Sequence, residues 1–512
     1  MFRAILAILS ALLMLLSMPG YLWGGLIFIA LVPLFFALEG GTPRRGFWLG
    51  YLGGFSLFAL LLYWVYTLFE WAGAFIVLGH LGLAGLLGVW WGLFGAAYSA
   101  ICRGQFANRP YYRKFLWIAV PALWVVLEYL RSLTRFGFTW GFVSDALSQY
   151  PELIQIASLT GTWGISMLIV LVNLLLYRAL RERSLLYGVF AIGLIALDWG
   201  WGAYQLARPL PQGRPVRVAI VHSNVPQRAR SDLGQLQALQ TLYLSQLDQL
   251  SPESVDLVLL PESIVPAYLL RQEELLQPYQ GQARRLRASL IVGTIDYRDG
   301  RLFNTAASIA PDGDLDLYDK VQLVPFSTEY FPLIGFLRRL GVENLIGPLP
   351  LGALTPGDGF RPLGLPQGMK IATPICFESI FSQIGRAFVR DSAQALFIIT
   401  NDAWFKGSKA LEQHFAKAIF RAVETGRFTV QAANGGISGV IDSLGRVLQA
   451  TRSQEAQVLQ ETILLQDRAT LYVQLGDWVA YLSFVLLLVL AGMRFIPPGV
   501  NWVTAPVERL TL

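Results

Sequence analysis

The sequence predicts a helical membrane domain with an inserted α/β domain that faces water. Three observations predict this fold class: a high apolar content, long apolar runs within the first 215 residues, and alternating strand-like and helix-like segments after them. Hydrophobic residues make up 54% of the 512 positions, charged residues only 14%, and the mean hydropathy is +0.49. This composition excludes a disordered chain and disfavours a wholly soluble one.

The apolar runs are long enough to cross a bilayer, whose hydrocarbon core needs roughly 20 helical residues. The second run follows the first without a small-residue cleavage site, so we predict a retained helix rather than a signal peptide. We therefore predict about eight transmembrane helices: seven in a membrane domain at 1–210, and a last one at 470–494 before a short tail at 495–512. The runs lie near 4–19, 21–38, 46–69, 73–101, 115–133, 155–177, 185–203 and 471–493.

The basic residues between the runs predict the orientation of the helices. One set of loops and termini carries 12 Lys or Arg residues, whereas the alternate short loops carry only Arg131 and Arg135. Because cytoplasmic loops are the richer in basic residues, we predict cytoplasmic termini and an α/β domain outside, which in a bacterium is the periplasm. The 12 residues are Arg3, Arg44, Arg45, Arg103, Arg109, Arg113, Lys114, Arg178, Arg181, Arg183, Arg494 and Arg509.

The positive charge of the chain belongs to its membrane half. Residues 1–215 hold 14 Lys or Arg and 7 Asp or Glu, a net charge of +7, whereas residues 216–512 hold 26 and 27, a net charge of −1. A nucleic-acid site needs basic residues clustered on a soluble face, so we expect no nucleic-acid partner. The three histidines are too scattered for a metal cluster, so we expect no metal.

After about Pro215 the pattern becomes that of an α/β domain. Strand-like runs alternate with polar segments of helical spacing, the clearest of which is 232–250. This alternation predicts a layered domain at 216–463 in which helices cover a sheet. The predicted strands lie at 217–221, 255–260, 289–292, 305–310, 370–375, 395–400, 428–432 and 439–441.

Three reactive side chains follow predicted strands or precede apolar segments of this domain. Glu262 lies just beyond one strand, Lys320 precedes Leu323-Val-Pro-Phe326, and Cys376 follows another strand. Loops at strand ends are where α/β folds gather catalytic groups. A glutamate could take the proton of the thiol, and a lysine could stabilise the oxyanion formed when the thiolate attacks a carbonyl. Cys102, the other cysteine, ends an apolar run, so a disulfide with Cys376 is not expected.

These residues and their neighbours resemble the nitrilase superfamily, whose Glu-Lys-Cys triad matches Glu262, Lys320 and Cys376. The resemblance is closest to its membrane branch, the apolipoprotein N-acyltransferases, and spans nearly the whole chain. It is carried by Gly137-Phe-Thr-Trp140, Val225-Pro-Gln227, Leu260-Pro-Glu262, Tyr318-Asp-Lys320, Leu323-Val-Pro-Phe326, Ile375-Cys-Phe-Glu378, Asn401-Asp-Ala-Trp-Phe405, Gln413-His414 and Arg421-Ala-Val-Glu-Thr-Gly-Arg427.

The resemblance implies an α-β-β-α sandwich and an acyl transfer in two steps. Cys376 would take a fatty acyl chain from a phospholipid as a thioester and pass it to the α-amino group of a diacylglyceryl-cysteine at an apolipoprotein N-terminus. It implies no cofactor, no metal, a location in the bacterial inner membrane and, by our expectation, a monomer. Supporting roles fall to Glu329, Phe377 and Glu378, and Asn401, Trp404, His414 and Arg421 would line or brace the substrate pocket.

The chain departs from the family pattern at three positions. Leu323-Val-Pro-Phe-Ser-Thr-Glu329 is one residue longer than the usual Leu-Val-Pro-Phe-Gly-Glu, Phe377 stands where tyrosine is common, and Ser231 stands where tryptophan is common. Two other functions remain open from the sequence. One is a membrane-tethered amidase or nitrilase-type hydrolase, in which water resolves the acyl-enzyme. The other is a scaffold or permease with an inert nitrilase-like domain.

Overall fold

The computed structural model describes residues 1–103, 110–332, 339, 352–405, 407–452 and 455–493. Within this part, an apolar helical half is followed by a sandwich of two sheets and then by a further apolar helix. Arg109, Arg494 and Arg509, three of the basic residues used for the orientation, and the predicted tail at 495–512 lie outside the described residues.

Helices account for most of the first half of the chain and for the outer layers of the sandwich. They begin and end close to the predicted runs, and the helix predicted at 232–250 is found at Leu236–Asp248. The longer helices are α1 (Phe2–Ser17), α2 (Val32–Leu38), α3 (Pro43–Leu61), α4 (Phe75–Ile101), α5 (Pro110–Ser132), α6 (Thr162–Glu182), α7 (Leu185–Ala207), α8 (Leu236–Asp248), α9 (Glu273–Leu286), α10 (Ser382–Arg390), α11 (Ala410–Thr425) and α12 (Trp478–Met493).

Among the described residues, four helices are long and apolar enough to cross a membrane: α4, the part of α5 at 115–132, α6 and α7. A fifth span exists if α3 and the segment Tyr63–Ala72, which are bent by 49° at their junction, count as one. The apolar helices α1, Gly24–Leu38 and α12 are shorter, at 10–17 residues. Each predicted run therefore overlaps an apolar helix, and the number of eight spans stays a prediction.

Glycines allow α3 and α4 to pack closely. A Cβ atom added at Gly46 would lie 2.3 Å from the carbonyl oxygen of Gly95, and one added at Gly50 would lie 2.2 Å from that of Trp91. Small residues let membrane helices approach to this distance, where van der Waals contact holds them together.

The second half of the chain forms two six-stranded sheets. The first sheet has the order β12-β1-β2-β3-β4-β5 and the second has the order β11-β10-β9-β8-β7-β6. In each sheet three central strands are parallel and the others antiparallel. The strands are β1 (Arg214–His222), β2 (Leu257–Leu259), β3 (Ser289–Arg298), β4 (Arg301–Ile309), β5 (Leu315–Asp319), β6 (Leu363–Leu365), β7 (Met369–Ala372), β8 (Ala395–Asn401), β9 (Thr429–Asn434), β10 (Gly439–Ile441), β11 (Val447–Ala450) and β12 (Gln457–Leu465).

The eight predicted strands coincide with β1–β4 and β7–β10, and four strands were not predicted. These four, β5, β6, β11 and β12, lie at or beside the edges of the sheets. They are short or partly exposed, so they lack the continuous apolar run that marks a strand buried on both faces.

The sheets pack face to face with helices outside, giving an α-β-β-α sandwich. Ala219 and Val221 of β1 belong to a core that the first sheet shares with α8 and α9. Val218 and Ile220, which point to the other face, belong to a core shared with the second sheet and with the helical half. Alternate residues of one strand thus enter two different cores, as the pleat of a strand requires.

Candidate active site

The three predicted reactive residues meet between the two sheets. Glu262 lies three residues after β2 and Lys320 follows β5, so both come from the first sheet. Cys376 follows β7 of the second sheet and begins a short 3-10 helix, Cys376–Ile380. The Lys320 Nζ atom is 3.6 Å from Glu262 Oε1, and both groups act electrostatically on the Cys376 thiol. The structure therefore brings the predicted trio together.

The Cys376 side chain is half-buried on a backbone with φ +51°, a left-handed conformation that is uncommon for a non-glycine residue. Burial raises the pKa of its thiol well above the ordinary value, the negative charge of Glu262 raises it further, and Lys320 acts in the opposite direction. The resting thiol is consequently protonated near neutral pH, and a base must remove its proton before it can attack.

Glu262 is held with both carboxylate oxygens bonded. Oε1 accepts a hydrogen bond from the Asn304 side chain (2.7 Å) and Oε2 accepts one from the backbone N–H of Asn401 (2.9 Å). Buried Arg230 donates to the carbonyl oxygens of Glu262 and Ser263. These contacts fix the carboxylate beside the lysine, and Arg230 and Asn304 were not found from the sequence because neither lies in a reactive motif.

Lys320 is buried between two carboxylates. Its Nζ atom donates to Glu329 Oε1 at 2.7 Å, in addition to lying near Glu262. Burial alone would lower the pKa of Lys320, but the charges of Glu329 and Glu262 outweigh it and raise the pKa above the usual value, so the lysine stays charged. The residue inserted before Glu329 does not keep this carboxylate from the lysine, because the loop is closed by a bond from the Val324 N–H to Glu329 Oε2 (2.8 Å).

Glu378 ties the loop after β5 to the loop that carries Cys376. One oxygen accepts from the Tyr318 hydroxyl (2.8 Å) and from the N–H groups of Val321 (2.7 Å) and Gln322 (3.0 Å), and the other accepts from the Ile375 N–H (2.8 Å). Burial raises the pKa of Glu378 to about 7, although these donors and Lys320 favour its charged form. Glu378 thus acts as a structural link between lysine and cysteine.

The four residues expected to line or brace the pocket mostly brace it. Asn401 donates to Gln227 (2.7 Å) and accepts from Asn434 (3.0 Å). Arg421 is buried and paired with Glu424 at 2.7 Å, and it also donates to the carbonyl of Ser379 (3.2 Å). Trp404 is partly buried, and its carbonyl oxygen accepts from the Thr67 hydroxyl (2.8 Å). The His414 ring contacts Asp402, Ser379 and the carbonyl oxygen of Cys376.

The helical half contacts this site directly. The ring of Trp71 lies edge-on to Trp404, with centroids 5.4 Å apart, and Phe138 packs beside Phe377 at 6.5 Å. Between α5 and α6, the Trp140 side chain donates to Gln413 of α11 at 2.6 Å. The loop of the reactive cysteine therefore lies next to the apolar half of the molecule.

Two family models match the chain. The model of the apolipoprotein N-acyltransferase N-terminal domain matches residues 10–175, and the carbon-nitrogen hydrolase model matches residues 217–472. Together with the two-sheet sandwich, the second match assigns this half to the carbon-nitrogen hydrolases. Solved structures with similarity include a CN-hydrolase superfamily protein of Xanthomonas campestris, 20% identical over 49% of this chain and 91% of that one, with a TM-score of 0.37.

Relatives resemble the chain along almost its full length. An apolipoprotein N-acyltransferase of Geobacter metallireducens is 31% identical over 96% of this chain and 95% of its own length. One of Thermotoga maritima is 32% identical over 94% and 92%. The chain belongs to the apolipoprotein N-acyltransferase family, and it is an N-acyltransferase with a nitrilase-like domain. This assignment favours the enzyme over the inert scaffold, and over the hydrolase that the sequence had left open.

Proposed function

We propose that this enzyme transfers a fatty acyl chain from a phospholipid to the α-amino group of the diacylglyceryl-cysteine at an apolipoprotein N-terminus. The observation that carries the proposal is the grouping of Glu262, Lys320 and Cys376 beside the apolar helical half. Both substrates reside in a bilayer, so a site adjoining membrane helices is where they can meet. The family membership of the chain supports the same reaction.

In the first step, Glu262 takes the proton of the Cys376 thiol, and the thiolate attacks an ester carbonyl of the phospholipid. The charged Lys320 Nζ and a backbone N–H near Cys376 stabilise the oxyanion, an interaction worth about 3–4 kcal/mol per donor. The carbon–oxygen bond then breaks, Glu262 returns the proton to the leaving oxygen, and lysophospholipid departs. The product is a thioester on Cys376.

In the second step, the α-amino group of the apolipoprotein attacks the thioester carbonyl. Glu262 takes a proton from the amine, the carbon–sulfur bond breaks, and the thiolate is protonated again. An amide is more stable than a thioester, so the transfer needs no ATP. Glu329 keeps Lys320 charged and oriented throughout, since its carboxylate is 2.7 Å from the ammonium group.

The chain would lie in the inner membrane of a bacterium, with the sandwich in the periplasm and both termini in the cytoplasm. The excess of basic residues in one set of loops supports this orientation. We further propose that the enzyme acts as a monomer and that the membrane and catalytic domains divide near 210–216 and 463–470.

The test is the intact mass of the purified full-length protein after incubation with phospholipid, before and after a diacylated lipopeptide is added. We expect one acyl chain on Cys376 that is stable in water and discharged by the lipopeptide. The Cys376→Ala variant should form no adduct and transfer nothing, whereas the matched Cys102→Ala variant should behave as wild type. An adduct lost to water alone would favour a hydrolase, and transfer by Cys376→Ala would refute the mechanism.

A further inference from the structure

Next to Cys376 lies a second group of buried polar side chains. His414 on α11 has its Nδ1 atom 2.9 Å from Asp402 Oδ1. Its Nε2 atom is 2.9 Å from Ser379 Oγ and 3.3 Å from the carbonyl oxygen of Cys376 itself. Asp402, Ser379 and His414 are all at most 2% exposed. None of these contacts is used by the acyl-transfer steps above.

The partners of the ring determine where its protons lie. The carbonyl oxygen of Cys376 can only accept, so its 3.3 Å contact with Nε2 is a hydrogen bond that Nε2 donates. Nε2 must therefore carry a hydrogen. Nδ1 faces a carboxylate oxygen, which also only accepts, so Nδ1 must carry one too. His414 is thus an imidazolium paired with Asp402.

This geometry excludes the most obvious alternative role. Serine, histidine and aspartate at these distances could form a second nucleophilic triad. Here, however, Nε2 is already protonated and cannot take the serine proton, and Ser379 is only 1% exposed. The three residues instead converge on one atom, the carbonyl oxygen of the nucleophilic cysteine.

We propose that Asp402 and His414 form a positioning ion pair: the imidazolium, together with Ser379, holds the carbonyl of Cys376 so that its thiol faces Glu262 and Lys320. The inference deepens the acyl-transfer function proposed above and rests on it. His414 is a positioning residue, because it touches the backbone of Cys376 and no substrate.

The backbone conformation of Cys376 explains why its carbonyl needs to be held by the Asp402–His414 pair and Ser379. Its φ of +51° is unfavourable for a residue with a side chain, and it persists only if neighbouring groups hold it. Two donors on one carbonyl oxygen, one of them charged, provide that restraint. The Thr400 hydroxyl also donates to Asp402 Oδ1 at 2.9 Å, which fixes the carboxylate in turn.

The charges around the ring favour its protonated form. Burial alone would lower the pKa of His414, but Asp402 and, more weakly, Glu262 raise it above the usual value. The other cations nearby are already paired: Lys417 with Asp145, and Arg421 with Glu424. If Asp402 were made neutral, the largest contribution that raises the pKa of His414 would be lost, and that pKa would fall.

The test measures the rate at which iodoacetamide alkylates Cys376 in the full-length enzyme. A Cys102→Ser background leaves Cys376 as the one thiol of the sequence that can react. Alkylation requires no lipid, so the positioning role is tested even if acyl transfer proves to be wrong. His414→Gln and His414→Ala should slow it about 10- to 100-fold, the range for one hydrogen bond to a charged group. His80→Gln, which changes an equally buried histidine on α4 that packs against Tyr66 of the helical half, should leave the rate unchanged.

A double-mutant cycle separates positioning from a general loss of structure. If His414 directs the thiol towards Glu262, Glu262→Gln should cost little further rate in the His414→Ala enzyme. Asp402→Asn adds a pH readout: its alkylation rate divided by that of wild type should rise as the pH falls, because His414 of the variant regains its proton. In acyl transfer, His414→Gln should lower kcat and leave KM nearly unchanged.

Additive losses from His414→Ala and Glu262→Gln would overturn the proposal, as would a pH-independent ratio for Asp402→Asn. Unchanged alkylation in His414→Gln would do the same. If His414→Ala fails to fold, the cycle is run with His414→Gln, which keeps most of the volume of the side chain but removes the charge of the ion pair. A wild-type enzyme that alkylates as expected but forms no thioester would refute the acyl-transfer mechanism and not the positioning pair.

Discussion

The two helical layers of the sandwich differ sharply in how much of their surface is buried. Of the 14 residues of α9, which covers the first sheet, only Leu275, Tyr279, Ala283 and Leu286 are buried. Every residue of α11, which covers the second sheet, is buried except Glu412. The helical half of the molecule packs on the outer side of α11, whereas the outer side of α9 faces solvent.

The more deeply buried helix, α11, carries polar side chains that contact both the helical half and the candidate site. Buried Lys417 of α11 donates to both oxygens of Asp145 (2.7 Å each) and to the Thr139 carbonyl (2.8 Å), all in the helical half. His414, one turn earlier, contacts the nucleophile loop. One helix therefore joins the cysteine loop to the helical half, while Glu262 and Lys320 come from loops of the first sheet.

The largest effect is expected at Glu262, the general base that the first sheet contributes. Glu262→Gln should slow acylation of Cys376 by about 10²- to 10⁴-fold near pH 7, the range for general-base catalysis. Because the Glu262 charge helps to raise the pKa of the thiol, its removal lowers that pKa. The rate relative to wild type should therefore recover as the pH rises, as measured by intact mass from about pH 6 to 9.

The matched control for this variant is Glu274→Gln on the exposed face of α9, which should leave the rate and its pH dependence unchanged. A Glu262→Gln enzyme that acylates at the wild-type rate would show that groups of the second sheet alone activate the Cys376 thiol.

The next largest effect is expected at the ion pair between α11 and the helical half. Lys417→Met leaves Asp145 buried without its cation, so it should lower the free energy of unfolding by about 3–5 kcal/mol. Thermal unfolding in phospholipid–detergent micelles measures this loss. Arg287→Gln breaks an exposed ion pair with Glu253 beside the first sheet, and it should change the free energy of unfolding little.

A second variant sharpens the same comparison. Combining Lys417→Met with Asp145→Leu removes both charges, and most of the stability should return because no charge is left buried and unpaired. If the double variant is no more stable than Lys417→Met, the contact between α11 and the helical half depends on the Lys417–Asp145 pair itself and not on the cost of an isolated charge.

The smallest effect is expected at the neighbouring hydrogen bond. Trp140→Phe keeps an aromatic ring but removes the donor to Gln413, so it should destabilise the protein by about 1 kcal/mol. Trp199→Phe, at a tryptophan of α7 that is 54% exposed, serves as the control and should be neutral. Equal melting temperatures for the two variants would mean that this bond does not stabilise the contact.

Much of the fold follows from local pattern. The apolar runs predicted the apolar helices, and the β-branched runs predicted β1–β4 and β7–β10, because strands buried on both faces are apolar throughout. The strands β5, β6, β11 and β12 were missed because their residues are partly exposed and polar. The existence of two sheets could not be read from residue spacing alone and was implied by the resemblance.

The candidate site divides in the same way. Glu262, Lys320 and Cys376 could be singled out from the sequence because each lies in a distinctive local motif. The contacts of Asn304, Asp402 and Ser379 could not, because even Asp402, which lies in the quoted motif Asn401–Phe405, carries no signal of the group it will contact. Their partners come from segments 42, 12 and 35 residues away.

The sequence by itself determined the types of the elements, the division into apolar and α/β halves, and the residues able to do acyl-transfer chemistry, since hydrophobic periodicity and reactive groups are local properties. Only the tertiary structure decided that every residue of α11 except Glu412 is buried and that His414 contacts the carbonyl oxygen of Cys376. Both depend on which surfaces dock, and docking brings distant side chains within the roughly 3 Å that a hydrogen bond requires.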